Sequence, residues 1–173
     1  KSPVIIVGDN NKTKLSLGEV NDTLELKFTL KNLSNAPVTY DNISLNLMVD
    51  DYSVSGTENI FTGKSRLLNA TDDLPDSITI PANGKISLTV NVTPDSTELA
   101  NQLQIFTNGF FIDGFVVFDN ETNPQISIPF TGFYGGWAKM SIFDKTMYDE
   151  GGSLLNGSWQ IDCYGTYALT TKI

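Results

Sequence analysis

The sequence predicts an all-β fold, a sandwich of antiparallel strands, from the alternation of its residues and from the spacing of its turns. Two segments, Leu24 to Leu30 and Ile86 to Val92, alternate between apolar and polar residues, which is the pattern of a strand with one buried face. Turn-forming clusters such as residues 81–84 (PANG) separate short strands at a spacing of roughly ten residues. Short strands at regular spacing are typical of β-sandwiches.

The segment from Asn108 to Phe118 (NGFFIDGFVVF) is the predicted central strand. Most of its residues are large and apolar, as expected of a strand covered on both faces. Asn108 and Gly109 form a turn at its start. Asp113 is its one charged residue, and the neighbouring Gly114 predicts a β-bulge or a close backbone approach that turns the acid outward.

The first half of the chain supplies further strands. Residues 3–7 form a short first strand, and Leu15 and Leu17 continue the apolar alternation. Residues 38–49 are predicted as one long strand whose alternation changes phase near Asp41-Asn42, where we expect a bulge. Residues 50–77 are rich in Asp, Ser, Thr and Gly, and we expect a long connection with one short edge strand.

One short helix is predicted before the central strand. Asp95 and Glu98 have the spacing of a capping box, in which each side chain bonds the backbone N–H of the other residue. Leu99 and Leu103 lie on one helical face. We therefore expect a helix over residues 96–103.

The chain after the central strand falls into a hairpin and a tail. Residues 119–124 form a turn and Ile126, Ile128 and Phe130 a return strand, so residues 110–130 are predicted as a hairpin. Residues 131–173 are rich in Gly, Tyr and Trp and show no sustained period, which predicts an irregular extension or a linker to a next module.

The composition argues against several classes of partner. The 173 residues fit one domain of ordinary size. The 11 basic and 20 acidic residues give a net charge of -9, which repels phosphate backbones and anionic lipid, so we expect no nucleic acid and no membrane insertion. The apolar run at residues 4–7 is too short for a signal or membrane segment, and we expect a piece of a longer protein.

The residue types also argue against an enzyme. Histidine is absent, which removes imidazole-dependent triads and His-based metal sites. The lone Cys163 excludes an internal disulfide and a zinc thiolate cluster. Lys64-Ser65 lies in a polar stretch with no sign of the pocket that Ser-Lys catalysis needs. We expect no catalytic residue and no cofactor.

The central strand and the residues after it resemble a known family. NGFFIDGFVVF followed by ISIPFTGFYGGW is similar to the fibronectin type III-like modules of cell-envelope subtilisin-like serine peptidases, the lactocepin type. Agreement at residues 26–32 and 80–84 extends the resemblance over residues 14–137. The positions that carry the family pattern are Asn108, Gly109, Phe110, Gly114, Phe115, Val116, Ile128, Pro129, Phe130, Gly132, Phe133 and Gly135.

The resemblance implies a fold and a function. The fold is a fibronectin type III-like antiparallel β-sandwich over residues 1–137 with one short helix, followed by an irregular extension or linker over residues 138–173. The function is that of a noncatalytic accessory module of a secreted or wall-associated subtilisin-like peptidase, acting as a spacer and presenting substrates or partners. Its partners are neighbouring domains of the same polypeptide and protein substrates, and its location is extracellular, at the cell wall or cell surface.

The resemblance also bears on individual residues. Asp113 stands where Glu is typical of the family, and we expect a structural role in which its carboxylate accepts backbone N–H bonds. The adhesive Arg-Gly-Asp tripeptide of some relatives is absent, because the only arginine, Arg66, precedes Leu67. The residues we single out are structural: Asn108, Gly109, Asp113, Gly114, Phe115, Pro129, Gly132, Phe133 and Trp137.

Two features leave alternatives open. Residues 119–123 (DNETN) place oxygen atoms at alternate positions, as a calcium loop does, but an ordinary hairpin turn is favoured because Asp and Asn suit turns. A carbohydrate-binding or adhesive β-sandwich of a cell-surface protein is the alternative function, since the tail aromatics could stack on sugars. Packing of Phe133 and Trp137 over the end of the sandwich or against a neighbouring module is favoured. The tail aromatics are Tyr134, Trp137, Trp159, Tyr164 and Tyr167.

Overall fold

The computed structural model describes residues 2–56 and 58–137, and in addition the backbone of two strands near the C-terminus. The chain divides into two compact units, Lys1–Lys139 and Met140–Ile173. The elements of the first unit in chain order are β1 (Val4–Val7), β2 (Leu15–Val20), β3 (Leu24–Asn32), β4 (Val38–Tyr40), β5 (Asn42–Ser55), β6 (Glu58–Leu67), β7 (Ala70–Asp72), β8 (Ile78–Ile80), β9 (Lys85–Pro94), α1 (Ser96–Ile105), β10 (Phe110–Asp119) and β11 (Ile126–Tyr134).

Two main sheets form the sandwich. The first has the strand order β1-β3-β9-β7, and the second has the order β2-β11-β10-β5-β6, so β10 is the central strand of the larger sheet, as predicted. All neighbouring strands run antiparallel except β2 and β11, which are parallel. Strands β4 and β8 pair as a separate two-stranded sheet. The predicted all-β sandwich with one short helix is confirmed.

The core lies between the two sheets. The predicted inward face of β3 is buried at every second position, from Leu24 to Leu30. The ring of Phe28 on this face meets the ring of Phe118 on β10 edge to face, with centroids 5.8 Å apart. The ring of Tyr40 also meets Phe118 edge to face, with centroids 6.1 Å apart, and burial raises the pKa of the Tyr40 hydroxyl above the ordinary value. Alternating burial along facing strands therefore produces the predicted sandwich core.

Asn32 is the main buried polar group at one end of the sandwich. Its side chain is 2% exposed, and its amide nitrogen donates to the carbonyl oxygens of Ala36 at 2.8 Å, Ile80 at 3.2 Å and Pro81 at 3.1 Å. Its Oδ1 accepts bonds from the backbone nitrogen and the hydroxyl of Ser34 at 2.9 and 2.8 Å. The Asn32 side chain thus provides hydrogen-bond partners for backbone groups of two turns that are not paired in a sheet.

The predicted single strand over residues 38–49 is wrong. The structure divides it at Asp41 into β4, which pairs with β8, and β5, which pairs with β10 in the larger sheet. The change in the phase of alternation is real, but it marks the transfer of the chain from one sheet to another instead of a bulge. Both arrangements reverse the inward face, so alternation alone does not distinguish them.

The long connection predicted over residues 50–77 is also wrong. Strand β5 continues to Ser55 and pairs with the ten-residue strand β6, and β7 follows as an edge strand of the other sheet. The register of β5 against β6 shifts between Asp50 and Tyr52. The hairpin carries polar residues because much of it is exposed, which removes the hydrophobic alternation that identifies strands.

Helix α1 begins as predicted and ends two residues later than expected. Asp95 is its N-cap, and Asp95 Oδ1 accepts a 2.9 Å bond from the backbone nitrogen of Glu98. The reciprocal half of the capping box is not formed, because the Glu98 carboxylate bonds Arg66 on β6 and Asn69 in the connection between β6 and β7. The tertiary contact replaces the local one and joins the helix to the larger sheet.

The residues after the hairpin contain more strand than predicted. Strand β11 continues to Tyr134, three residues beyond Thr131, where we expected the regular pattern to stop. In the second unit the described backbone forms an antiparallel hairpin of β12 (Ser158–Asp162) and β13 (Gly165–Leu169). The side chains of Trp159, Tyr164 and Tyr167 lie outside the described residues.

Candidate functional site

Gly109 joins the helix to the central strand at a point of close packing. Its φ of 102° lies in the left-handed region, and its N–H donates to the carbonyl of Phe106 at 2.9 Å. A Cβ at this position would lie 2.6 Å from the carbonyl oxygen of Tyr134 and 2.7 Å from Cζ of Phe133. Asn108-Gly109 is therefore a tight turn packed against the end of β11, and glycine is required there for both backbone and space.

Gly114 makes the close backbone approach that the sequence predicts, but without the predicted bulge. A Cβ at this position would lie 2.8 Å from Cε1 of Phe130 and closer still to Cζ of that ring and to the carbonyl oxygen of Asn46. The pairing of β10 with both neighbouring strands continues through Gly114 without a register shift. Glycine is needed here because there is no room for a side chain, and not because the strand contains an extra residue.

Besides the register shift between β5 and β6, the larger sheet has an irregularity opposite Gly132. Three residue steps on β2, from Ser16 to Glu19, match two steps on β11, from Thr131 to Phe133. The extra residue on β2 coincides with Gly18, whose φ is 70°. A Cβ on Gly132 would lie 2.7 Å from Cγ1 of Val20. Glycine at this position therefore leaves the space in which the bulged strand β2 packs.

The central strand is not covered on both faces along its whole length. Phe111 is 48% exposed and Phe115 40% exposed, and Asp113 between them is exposed as well. The outer face of β10 becomes buried only near its end, at Val117. The predicted coverage is therefore wrong for the first half of the strand, and Asp113 faces outward by ordinary alternation.

Asp113 does not make the backbone bonds that we expected. It lies opposite Met48 on one side and Thr131 on the other. Among the hydrogen bonds and salt bridges of residues 2–56 and 58–137, none involves its carboxylate. Within the described residues the acid is thus an unpaired charge on an otherwise largely apolar part of the sheet.

An aromatic cluster stands beside Asp113 at the end of β11. The rings of Phe133 and Trp137 stack at 4.1 Å and 22°, and Phe111 meets Phe133 edge to face at 5.3 Å. Trp137 is 49% exposed, and its backbone nitrogen donates to Oε1 of Glu19 at 2.6 Å. These aromatic residues therefore extend the apolar surface of the sheet.

We call this surface the outer-face patch and define it by Phe111, Phe115 and Trp137, with Met48 and Leu67 beside them. Met48 pairs with Asp113 on one side and with Leu67 on the other, so the three side chains form one row across three strands. Leu67 is 66% exposed. Sequence reasoning missed Met48 and Leu67, because the pairing of β5 with β6 was not predicted.

Residues 119–123, for which the sequence left open a calcium loop or a hairpin turn, form a compact turn. Asn120 Oδ1 accepts bonds from the backbone nitrogens of Thr122 and Asn123 at 3.0 and 2.6 Å, and Asn120 Nδ2 donates to the carbonyl of Thr39. Asp119 Oδ1 accepts from the backbone nitrogen of Asn120 at 3.0 Å. The Asn120 oxygen is thus engaged by the turn itself, as the hairpin interpretation expects.

Over the described part of the chain, no group of three or more His, Cys, Asp or Glu side chains is close enough to hold a metal ion. No helix in that part is long and apolar enough to cross a membrane. The outer-face patch is therefore the candidate site, and the chemistry it offers is contact through aromatic rings and one carboxylate.

Comparison with protein families identifies the sandwich. The family model described as Fn3-like domain matches residues 15–131, which include strands β2 to β10 and most of β11. The chain belongs to the Fn3-like domain family. The Fn3-like match includes Gly114 and the exposed aromatic residues of β10, but it ends before Gly132, Phe133 and Trp137.

The Fn3-like chain is also similar to curated peptidases. It is 30% identical over 146 residues to the C5a peptidases of Streptococcus pyogenes serotypes M6 and M1, and the match covers 82% of this chain and 12% of each peptidase. The predicted resemblance to an Fn3-like module of a subtilisin-like cell-envelope peptidase is confirmed. The matched region of the peptidase is noncatalytic.

Among solved structures, Spo0M, a sporulation control protein from Bacillus subtilis, is similar to the Fn3-like chain with a TM-score of 0.42 and 12% identity. The alignment covers 78% of this chain and 49% of Spo0M.

Proposed function

We propose that this Fn3-like chain is a noncatalytic accessory module of a secreted or wall-associated subtilisin-like peptidase, where it acts as a spacer and presents substrates or partners. The observation that carries the proposal is the 30% identity to C5a peptidases over 82% of this chain. Because the match spans only 12% of those proteins, the module would occupy one position in a much longer polypeptide, at the cell wall or cell surface.

The packing of the sandwich suits a spacer. Its two sheets enclose a core of interlocking aromatic and aliphatic residues, and the buried amide of Asn32 fixes two turns at one end. The Arg66–Glu98 ion pair, with N and O atoms 3.0 Å apart, attaches the helix to β6. A module with these contacts transmits the orientation of one end to the other, which is what a spacer requires.

The limits of the module are part of the proposal. We place the Fn3-like domain at residues 1–137 and an extension or linker to the next module at residues 138–173. The family match to residue 131 and the division of the chain into compact units after Lys139 support a boundary in this region.

The proposal is tested in the natural polypeptide that contains these residues. Deletion of residues 1–137 is expected to lower kcat/KM for a folded protein substrate and to leave cleavage of a short chromogenic peptide unchanged, because a spacer acts on large substrates only. A catalytic-serine variant serves as the control for contaminating proteases. Absence of a subtilisin-type Asp, His and Ser set from that polypeptide, or equal cleavage of the protein substrate with and without the module, would contradict the proposal.

Carbohydrate binding is the second candidate, and the exposed Trp137 favours it. One face of the indole ring stacks on Phe133, and the 49% exposure of Trp137 leaves part of the ring accessible to a sugar. Titration of soluble cell-wall polysaccharide, followed by tryptophan fluorescence, decides between the candidates. A saturable change that Trp137→Ala abolishes and Trp159→Ala leaves intact would assign a sugar site to this surface.

A further inference from the structure

The outer-face patch combines exposed apolar area with one charge, Asp113, that has no partner among the described residues. Phe111, Asp113 and Phe115 project from the same face of β10, and successive same-face residues lie roughly 7 Å apart along a strand. Trp137 adjoins Phe111, with ring centroids 6.1 Å apart. Contiguous exposed apolar patches on soluble domains mark interaction sites, whereas apolar residues exposed singly do not.

The charge at the centre specifies the chemistry of the occupant. Asp113 has apolar neighbours along its strand and Met48 and Thr131 across it, and within residues 2–56 and 58–137 it has no ionic or hydrogen-bonded partner. An apolar surface that covered this carboxylate without pairing it would leave a buried charge. A lysine or arginine would pair with Asp113, and its aliphatic stem or guanidinium plane would pack on Phe111 and Phe115.

We propose that the outer-face patch docks another domain of the same polypeptide, one that presents a lysine or arginine between apolar side chains. The proposal rests on the proposed function, because such a domain exists only if the chain is a module of a longer protein. The C5a peptidases that this chain matches are much longer than the matched segment, so modules of this kind have neighbours.

A second copy of the chain fits the patch less well. A symmetric dimer centred on the patch would bring two Asp113 carboxylates together, and each chain carries a net charge of -9. Like charges placed opposite one another in an interface destabilise it. Dimerisation through this face is therefore disfavoured by charge at short and at long range.

A tethered partner needs less contact area than a separate protein. Stable complexes between separate proteins bury at least about 1,000 Å² in total, whereas interfaces between domains of one chain bury roughly 600–1,500 Å². Covalent connection raises the effective concentration of the partner to the millimolar range. A neighbouring domain can therefore dock on five apolar side chains and one acid with less contact area than a separate protein would need.

Hydroxyl-radical footprinting measures the occupancy of the patch directly. The oxidation rates of Phe111, Phe115 and Trp137 are compared between the 173-residue chain and the full natural polypeptide. We expect several-fold slower oxidation of all three in the full polypeptide, because their rings become covered. Phe61, 58% exposed on the β5–β6 hairpin, is the internal reference and is expected to oxidise at the same rate in both proteins.

Two charge-reversal variants test whether docking requires the negative charge of Asp113. Asp113→Lys in the full polypeptide is expected to restore oxidation of the three aromatic residues to the rate of the isolated chain. Asp76→Lys, which reverses an exposed acid outside the patch, is expected to leave the protection intact. Thermal unfolding of both variants of the 173-residue chain confirms that each folds.

The outcomes separate this proposal from the proposed function. Equal oxidation in the isolated chain and the full polypeptide would overturn the docking proposal, and so would protection that Asp113→Lys does not reduce. Protection of the isolated chain that grows with its own concentration, or on addition of polysaccharide, would overturn it in favour of a second copy or a sugar. If the patch stays oxidisable while deletion of the module still lowers protein cleavage, docking fails and the accessory function stands.

Discussion

Gly114 and Phe130 face each other on neighbouring strands with no room for a side chain on residue 114. A Cβ there would lie 2.8 Å from Cε1 of the Phe130 ring and closer still to the backbone oxygen of Asn46. The ring can shift only into the buried core, and the Asn46 carbonyl belongs to the paired strand β5. Glycine at this position is therefore a packing requirement of the central strand.

Gly114→Ala is expected to lower the free energy of unfolding by about 1–3 kcal/mol, the usual effect of overpacking a core. Urea denaturation followed by tryptophan fluorescence measures it. Asp113→Ala is the matched control, because it changes the adjacent residue on the exposed face and is expected to alter stability by less than about 0.5 kcal/mol. A neutral Gly114→Ala variant would contradict the packing argument.

The same strand shows how far sequence reasoning extends. The apolar run and the Asn108-Gly109 turn predicted the position of β10 and its hairpin with β11, because both signals are local. The exposure of Phe111 and Phe115 was not predictable from them, since an apolar residue looks the same whether or not another domain covers it. The family pattern included Phe115 in the patch and Phe133 beside it, but gave no information on exposure.

The errors in the first half of the chain have a related cause. The alternation of residues 38–49 correctly reported a reversal of the inward face, but pairing partners far along the chain decided that the reversal is a change of sheet. Strand β6 escaped prediction because its stability depends on pairing with β5, while its own residues are mostly exposed and polar. Long-range pairing, which one sequence does not display, accounts for both errors.

Asn32→Ala is expected to destabilise the sandwich by about 1–3 kcal/mol, because the carbonyl oxygens of Ile80 and Pro81 lose their donor in a largely buried site. Thermal unfolding monitored by circular dichroism measures the change. Asn35→Ala, an exposed asparagine in the same turn, is the control and is expected to be neutral. Equal melting temperatures for the two variants would show that water replaces the Asn32 amide.

Arg66→Met is expected to cost about 1–3 kcal/mol, because it retains the aliphatic stem but removes two bonds to the helix. Arg66 Nη1 donates to Glu98 and Nη2 to Oε1 of the buried Gln102, each at 3.0 Å. Urea denaturation at low and high salt measures the loss. Lys64→Met, at an exposed position of the same strand, is the control, and a similar loss in both variants would assign the effect to charge alone.

Asp73 is expected to make the stability of the sandwich depend on pH in the acid range. Its carboxylate accepts bonds from the side-chain and backbone nitrogens of Asn91, at 2.9 and 2.7 Å, and these hydrogen bonds lower its pKa below the ordinary value of 3.8. A group whose pKa is lower in the folded state than in the unfolded state stabilises the fold above the unfolded pKa. That contribution is lost as the pH falls through the folded pKa.

The difference in free energy of unfolding between the wild-type chain and Asp73→Ala is therefore expected to be larger at pH 6 than at pH 3. An aspartate in the unfolded chain has a pKa of about 3.9. Urea denaturation at both pH values measures it. Asp76→Ala is the control, because within the described residues its carboxylate has no hydrogen-bond partner. A difference for Asp73→Ala that does not change with pH would mean that protonated Asp73 bonds Asn91 as well as the carboxylate does.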